Sequence, residues 1–260
     1  MDVLKESDLN RDLKLTCRLL PHLVVDGASQ MALDHALLDS VDANPSVMVF
    51  RTYEWNAPTL SLGYFQSISE PQSDPRWKNF PWVRRPSGGG ALFHHRELTY
   101  ALVVPRFHPL AGRPSALYRA VHSSIGERMR LRGLDAGRRG LVPKNLEARP
   151  FLCFQDRDPE DVVVNTVKIV GSAQRRRPSA ILQHGSILLG QSEHAPELLG
   201  LIDLGITSIS VEEWAHELQL AIGTVLSCQM VPDVVSEEES RHAIQLTAEV
   251  YRNRVWTARR

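Results

Sequence analysis

The chain has 260 residues, 43% of them hydrophobic, which suffices to bury a full core in one large domain and excludes a disordered chain. Lysine plus arginine equals aspartate plus glutamate at 30 each, so no overall field draws the protein to nucleic acid or to an anionic membrane. Cys17, Cys153 and Cys228 are widely spaced with no CxxC pair, which points away from a disulfide framework or a zinc site and toward a reducing compartment.

Met1 to Leu13 is charged and lacks an apolar h-region, and no apolar run approaches about 18 residues. Neither a signal peptide nor a membrane span is expected, and the localisation expected is cytoplasmic. Met31, Ala32, Leu37, Leu38 and Val41 recur at helical spacing and predict a helix over 28–42. Strands are predicted at Val47 to Arg51 and, after the Asn56-Ala57-Pro58 turn signal, at Thr59 to Gly63. Trp82 to Arg85 and Ala91 to Phe93 flank a glycine turn and read as a hairpin, followed by an apolar strand from Leu98 to Val104 that Pro105 bounds. From Pro114, Leu117, Val121, Ile125 and Met129 recur every four residues and make a helix ending near Gly133. A loop-like section then carries Gly140, Pro143 and Pro150. Three more strands are expected at Val162 to Asn165, Lys168 to Ala173 and Ala180 to Leu189, the last two separated by the basic turn Arg175-Arg176-Arg177-Pro178. Trp214, Leu218, Ala221, Ile222 and Val225 form one closing helical stripe, and Ala243, Leu246, Val250 and Tyr251 another. The fold class is α+β, read as a single domain over 1–260 with closing helices over 210–260.

The stretch from Arg84 to Tyr100 contains Gly88-Gly89-Gly90. Three glycines permit positive φ and leave no Cβ to keep a ligand off the backbone, so successive N–H groups can converge on an oxygen. Cys153 sits between bulky apolar neighbours, where a cysteine is more often a small buried hydrophobe than a nucleophile. Thiolate is the reactive form, so a nucleophilic role needs a nearby cation or base. Lys168, on Val167-Lys168-Ile169-Val170, is one candidate. Period-2 alternation puts it on the face of Val170 and Ser172, with Ile169 and Gly171 opposite. His94, His95 and His184 are either structural histidines or bases near the thiol. No Asp or Asn partner for them stands out. Gly171-Ser172-Ala173 and His184-Gly185-Ser186 offer two further segments where backbone can approach a ligand.

Together these residues resemble the lipoate-protein ligase and octanoyltransferase family, which is similar in fold to the catalytic domain of biotin protein ligases. The anchors run in order through Met31-Ala32-Leu33-Asp34, Pro58 to Gln66, Arg84 to Tyr100, Cys153-Phe154, Lys168 to Gln174 and Gln183-His184-Gly185-Ser186. The resemblance implies mixed β-sheets flanked by helices. Cys153-Phe154 upstream of the lysine strand is similar to the nucleophile position of the cysteine-lysine octanoyltransferase branch. That branch implies an octanoyl-acyl carrier protein donor, and an apo lipoyl domain or a glycine-cleavage H-type protein as acceptor. Cys153 and Lys168 would be catalytic. Arg85, Ser87, Gly88, Gly89, Gly90, His94, Tyr100, Gly171, Ser172, Ala173, His184 and Gly185 would bind substrate, with no metal or cofactor. Length agrees with this branch, because full-length ligases usually carry an added domain. The sequence departs from the family at His95, where an Asp is common, and at Asn165-Thr166-Val167, which replaces a glycine-lysine approach to Lys168. Its triple glycine is more typical of ligases.

The expected chemistry follows from the donor. A thioester is already activated, so transfer through Cys153 needs no ATP. Lys168 is expected to stabilise the thiolate and later to help deprotonate the acceptor lysine, backbone N–H groups near Gly171 to Ala173 to hold the oxyanion, and Leu92, Leu98 and Val104 to wall the acyl slot. The alternatives are an ATP-dependent lipoate ligase, an octanoyl amidotransferase between carrier domains, and a non-catalytic carrier-binding protein.

Overall fold

The computed structural model describes residues 15–140, 150–155, 158–207 and 209–260; the expectations at Met1 to Leu13 and at Pro143 fall outside them. Strands β1 (Leu15–Leu19) and β2 (Leu23–Val25) lead into helix α1 (Gly27–Ala43), then β3 (Met48–Trp55) and β4 (Thr59–Leu62). The short helix α2 (Ser69–Ser73) precedes β5 (Trp82–Arg84), β6 (Leu92–His94) and β7 (Glu97–Pro105). Helix α3 (Pro114–Leu131) and β8 (Ala136–Arg138) follow, then β9 (Val162–Val164), β10 (Val167–Arg176) and β11 (Ala180–Leu188). The chain closes with α4 (Val211–Val225), β12 (Cys228–Pro232), α5 (Glu237–Leu246), a π-turn and α6 (Arg254–Thr257).

Among the described residues the main sheet runs β12-β1-β3-β7-β11-β10-β9-β8, with β2 also on β3, and a small sheet runs β5-β4-β6. Strands β7 and β11 are buried along their whole length because helices cover both faces. Alternation decides which residue meets which helix: Leu98, Tyr100, Leu102 and Val104 join the core under α3 and α4, while Ala101 and Val103 join the core under α1 and α5. Leu60, Leu62, Trp77, Phe93, Leu152 and Phe154 form a third core behind the small sheet. Asp26 caps α1 by accepting from the N–H groups of Ala28 and Ser29. Ser210 and Ser236 open α4 and α5 with capping boxes.

Two expectations change. The glycine segment is not a hairpin, because β5 and β6 are not neighbours: β4 lies between them, parallel to β5 and antiparallel to β6. The segment therefore crosses over the end of β4. The crossing is so close that a Cβ on Gly63 would sit 1.9 Å from the Gly89 carbonyl oxygen. The strict alternation expected along β10 also fails, because the register against β9 shifts between Lys168 and Val170. That irregularity lets Lys168, Gly171, Ser172 and Ala173 all line one cleft.

Candidate active site

The cleft lies between the small sheet and the β10–β11 pair of the main sheet and encloses about 470 Å³ including its open mouth. Of the residues expected there, Arg85, Gly89, His94, Cys153, Lys168, Gly171, Ser172, Ala173, His184 and Gly185 line it. Ser87, Gly88, Gly90 and Tyr100 are not among its lining residues. Leu92 lines the slot as expected, whereas Leu98 and Val104 point to the α3 side of the sheet and do not.

Cys153 is fastened to the glycine segment by backbone pairing: its N–H donates to Ala91 O at 2.7 Å, and Ala91 N–H donates to Phe151 O at 3.0 Å. The sulfur then lies against Gly89. A Cβ on Gly89, whose φ is +92°, would be 3.7 Å from Cys153 Sγ and 2.9 Å from Arg85 Nη2. Arg85 is 2% exposed. Its guanidinium donates to the carbonyls of Ser61, Gly88 and Gly90, its Nε has no partner, and no carboxylate pairs with it among the described residues. Burial pushes this guanidinium down to about 10, against an upward pull from Cys153, so it remains a cation at neutral pH.

Lys168 folds back over Gly171, where a Cβ would come within 2.9 Å of its Cε. Its ammonium donates to the Cys153 carbonyl oxygen at 3.0 Å, lies 5.0 Å from the Phe154 ring centre, and pairs with buried Asp161 at 2.8 Å. Burial pushes the Asp161 carboxyl up, opposed by Lys168.

The histidines do have acidic partners, contrary to expectation. His184 Nδ1 meets Asp34 Oδ2 at 2.9 Å, and its Nε2 meets Ser87 Oγ at 2.5 Å, so the ring links α1 to the glycine segment. Burial pushes Asp34 up, but Arg51 at 2.5 Å and His184 outweigh it and hold the carboxyl below its usual range. His94 Nδ1 meets Glu97 Oε1 at 2.6 Å, its ring stacks on Trp55 at 3.8 Å, and its buried Nε2 has no partner among the described residues. His95, by contrast, meets Ser192 and lies outside the lining.

The expected oxyanion donors are engaged elsewhere. Ser172 N–H donates to Tyr118 Oη at 3.2 Å, and Gly171 and Ala173 face Ser186 and His184 in the β10–β11 ladder. Among the described residues, the N–H groups of Gly88, Gly89 and Gly90 donate to nothing, which makes the glycine segment the free donor array beside the sulfur. Sequence reasoning also missed Trp55 and Asp161, and it quoted Asp34 only within the Met31-to-Asp34 anchor, without a role in the site. Only Asp34, four residues past Gln30 on a helix read as plain core, carried any signal, being an acid at a buried helical position.

Residues 26–200 match the family model described as the lipoyl protein ligase A/B catalytic domain. The chain is 31% identical to the octanoyltransferase LipM of Geobacillus kaustophilus over 90% of its own length and 94% of that protein. It is 40% identical to the octanoyltransferase LipM of Staphylococcus aureus over 61% of this chain and 60% of that protein. In fold it is similar to lipoate-protein ligase A bound with ATP (TM-score 0.74, 20% identity, 94% of this chain and 99% of the other). It is likewise similar to the bipartite lipoate protein ligase of Thermoplasma acidophilum (TM-score 0.70, 20% identity, 94% and 96%).

Proposed function

This chain belongs to the lipoyl protein ligase A/B catalytic-domain family, and on that footing we propose that it is an octanoyltransferase working through a thioester on Cys153. The observation that carries the reading is a thiol lining a cleft beside glycine N–H groups and a buried guanidinium which, among the described residues, have no accepting and no carboxylate partner respectively. The thiolate at Cys153 attacks the carbonyl of an octanoyl thioester on a carrier protein. The carbonyl oxygen takes the negative charge within reach of Gly88 to Gly90, the carrier thiolate leaves and takes up a proton, and the octanoyl group stays on Cys153. An acceptor lysine of a lipoyl domain then attacks this thioester as a free amine. The amide forms, Cys153 leaves as thiolate, and the amine proton passes to a base in the cleft. His94, which lines the same cleft, is backed by Glu97 and has no partner at Nε2 among the described residues, suits that task better than Lys168, whose ammonium is paired with Asp161. Lys168 instead holds the Cys153 segment through its carbonyl.

The reading favours transfer over ATP-dependent ligation because the relatives reported above are octanoyltransferases and a cysteine lies in the cleft. Intact-mass measurement after exposure to octanoyl-carrier protein without ATP should show one octanoyl adduct, mapped to Cys153 and missing from Cys153→Ser. An unmodified wild-type protein that instead forms an adenylate from octanoate and ATP would overturn the proposal in favour of a ligase.

A further inference from the structure

Several arginines of this neutral chain meet a carboxylate: Arg51 pairs with Asp34, Arg128 with Glu217, and Arg177, in the basic turn, with Asp39. One region instead gathers several that do not around a single aromatic ring. Arg175 lies 5.1 Å, Arg259 4.3 Å and Arg260 6.0 Å from the centre of the Tyr64 ring, and Arg259 Nη2 donates to Tyr64 Oη at 3.0 Å. Among the described residues none of the three pairs with Asp or Glu. Buried Arg84, beneath them, donates only to the carbonyls of Gly63, Tyr64, Gln66 and Thr257. Burial first, then the charges of Arg259 and Arg260, push Arg84 down. Like charges gathered round one ring repel, and the cation–π contacts offset only part of that cost. An arrangement of this kind is completed by an anion.

Its position identifies which one. Tyr64 N–H donates to Ser87 O at 2.8 Å, and Phe65, 67% exposed, lies over Gly88, 3.9 Å from where a Cβ would stand. The arginine cluster therefore abuts the segment that holds Cys153. Arg175 is two residues along β10 from the cleft-lining Ala173, a rise of roughly 7 Å, within the span of a thioester arm ending in phosphate. Guanidinium groups stacked on an aromatic face keep their N–H edges outward, which suits the tetrahedral oxygens of a phosphate.

Resting on the octanoyl-transfer reading, we propose that Arg175, Arg259 and Arg260 around Tyr64 bind the phosphate of the donor's pantetheine arm, with exposed Phe65 against the arm. Three donors test this: octanoyl-pantetheine, octanoyl-4′-phosphopantetheine and octanoyl-carrier protein. In an Arg259→Ser, Arg260→Ser double variant and in Arg175→Gln, kcat/KM should fall roughly tenfold for both phosphate-bearing donors, through KM, and should be unchanged for octanoyl-pantetheine. Raising salt should shrink the difference. Equal losses on all three donors, or none, overturn the proposal, and a loss confined to the carrier protein reassigns the arginines to that protein's acidic surface and overturns the phosphate site. Calorimetry with 4′-phosphopantetheine against pantetheine, with no acyl group, tests the site independently of turnover. The wild type should prefer the phosphate form and the double variant should not; a wild type without that preference refutes the site even if octanoyl transfer holds.

Discussion

Replacing Arg85 with methionine removes a buried cation that lies beside the Cys153 sulfur and has no carboxylate partner among the described residues, and the size of the effect follows from where that cation sits. The distances to the Gly89 Cβ position limit the gap between Arg85 Nη2 and Cys153 Sγ to roughly 6–7 Å, where a unit pair at an effective dielectric of about 20 interacts by about 2.5 kcal/mol. Removing it should raise the pH midpoint for alkylation of Cys153 by about 1.5 to 2 units, since 1.36 kcal/mol corresponds to one unit. The other charged groups near the cleft are internally matched: Lys168 with Asp161, His94 with Glu97, His184 with Asp34. Lys168→Met should therefore move the midpoint by less. The assay is the rate of iodoacetamide labelling against pH, with the modified peptide mapped to Cys153 because Cys17 and Cys228 are also free thiols. Arg85 also holds three carbonyls, so Arg85→Lys, which keeps the charge but loses the fork, serves as the companion and should restore most of the shift. An unchanged midpoint in folded Arg85→Met, or a larger shift in Lys168→Met than in either Arg85 variant, would refute the reasoning.

Asn165 (φ 47°) and Thr166 (φ 74°) form a two-residue turn between β9 and β10 in left-handed backbone, so Thr166→Gly should relieve about 1 kcal/mol and raise Tm by about 2–4 °C; a lower Tm would contradict the strain. His122 is buried between the Glu160 carbonyl and Ser172 Oγ, and burial lowers it from 6.5 to about 4. The folded state resists its protonation while the unfolded chain accepts it, so this stability is present above about 6.5 and is lost as pH falls toward about 4, by about 3 kcal/mol. Denaturant midpoints across that window should fall more steeply for the wild type than for His122→Gln, and parallel curves would exclude the histidine. Asp161→Asn leaves the Lys168 ammonium without its buried carboxylate and should cut kcat about tenfold or more while donor KM stays within about twofold, read from steady-state transfer. A change confined to KM would remove Asp161 from the positioning of the Cys153 segment.

Much of this site could be read from the residues, and the parts that could not have physical causes. Helix α1, strands β7 and β11 and helix α3 announced themselves through long apolar periodicity, because each buries a whole face. The short strands β1, β2, β8 and β12 did not, being three to five residues long and stabilised by neighbours rather than by pattern. The glycine run, Cys153 and Lys168 were visible as residue types, but their relation was not. The crossing over β4 is fixed by contact at Gly63, and the curl of Lys168 by a register shift and by room above Gly171. Pairings across long sequence separation, Asp34 with His184 and Asp161 with Lys168, leave no trace in local spacing. Asn165-Thr166, in contrast, was visible as an unusual approach to Lys168, and its left-handed backbone is one that favours glycine.

The pair of hydrogen bonds joining Ala91 to Phe151 and Cys153 has a consequence for engineering. Ala91 supplies both a donor and an acceptor to this clamp, so the sulfur of Cys153 takes its position from the glycine crossing as well as from its own neighbours in the chain. Proline at Ala91 lacks the N–H that meets the Phe151 carbonyl and would loosen the sulfur, so that position is one to leave untouched when the cleft is redesigned for another acyl length.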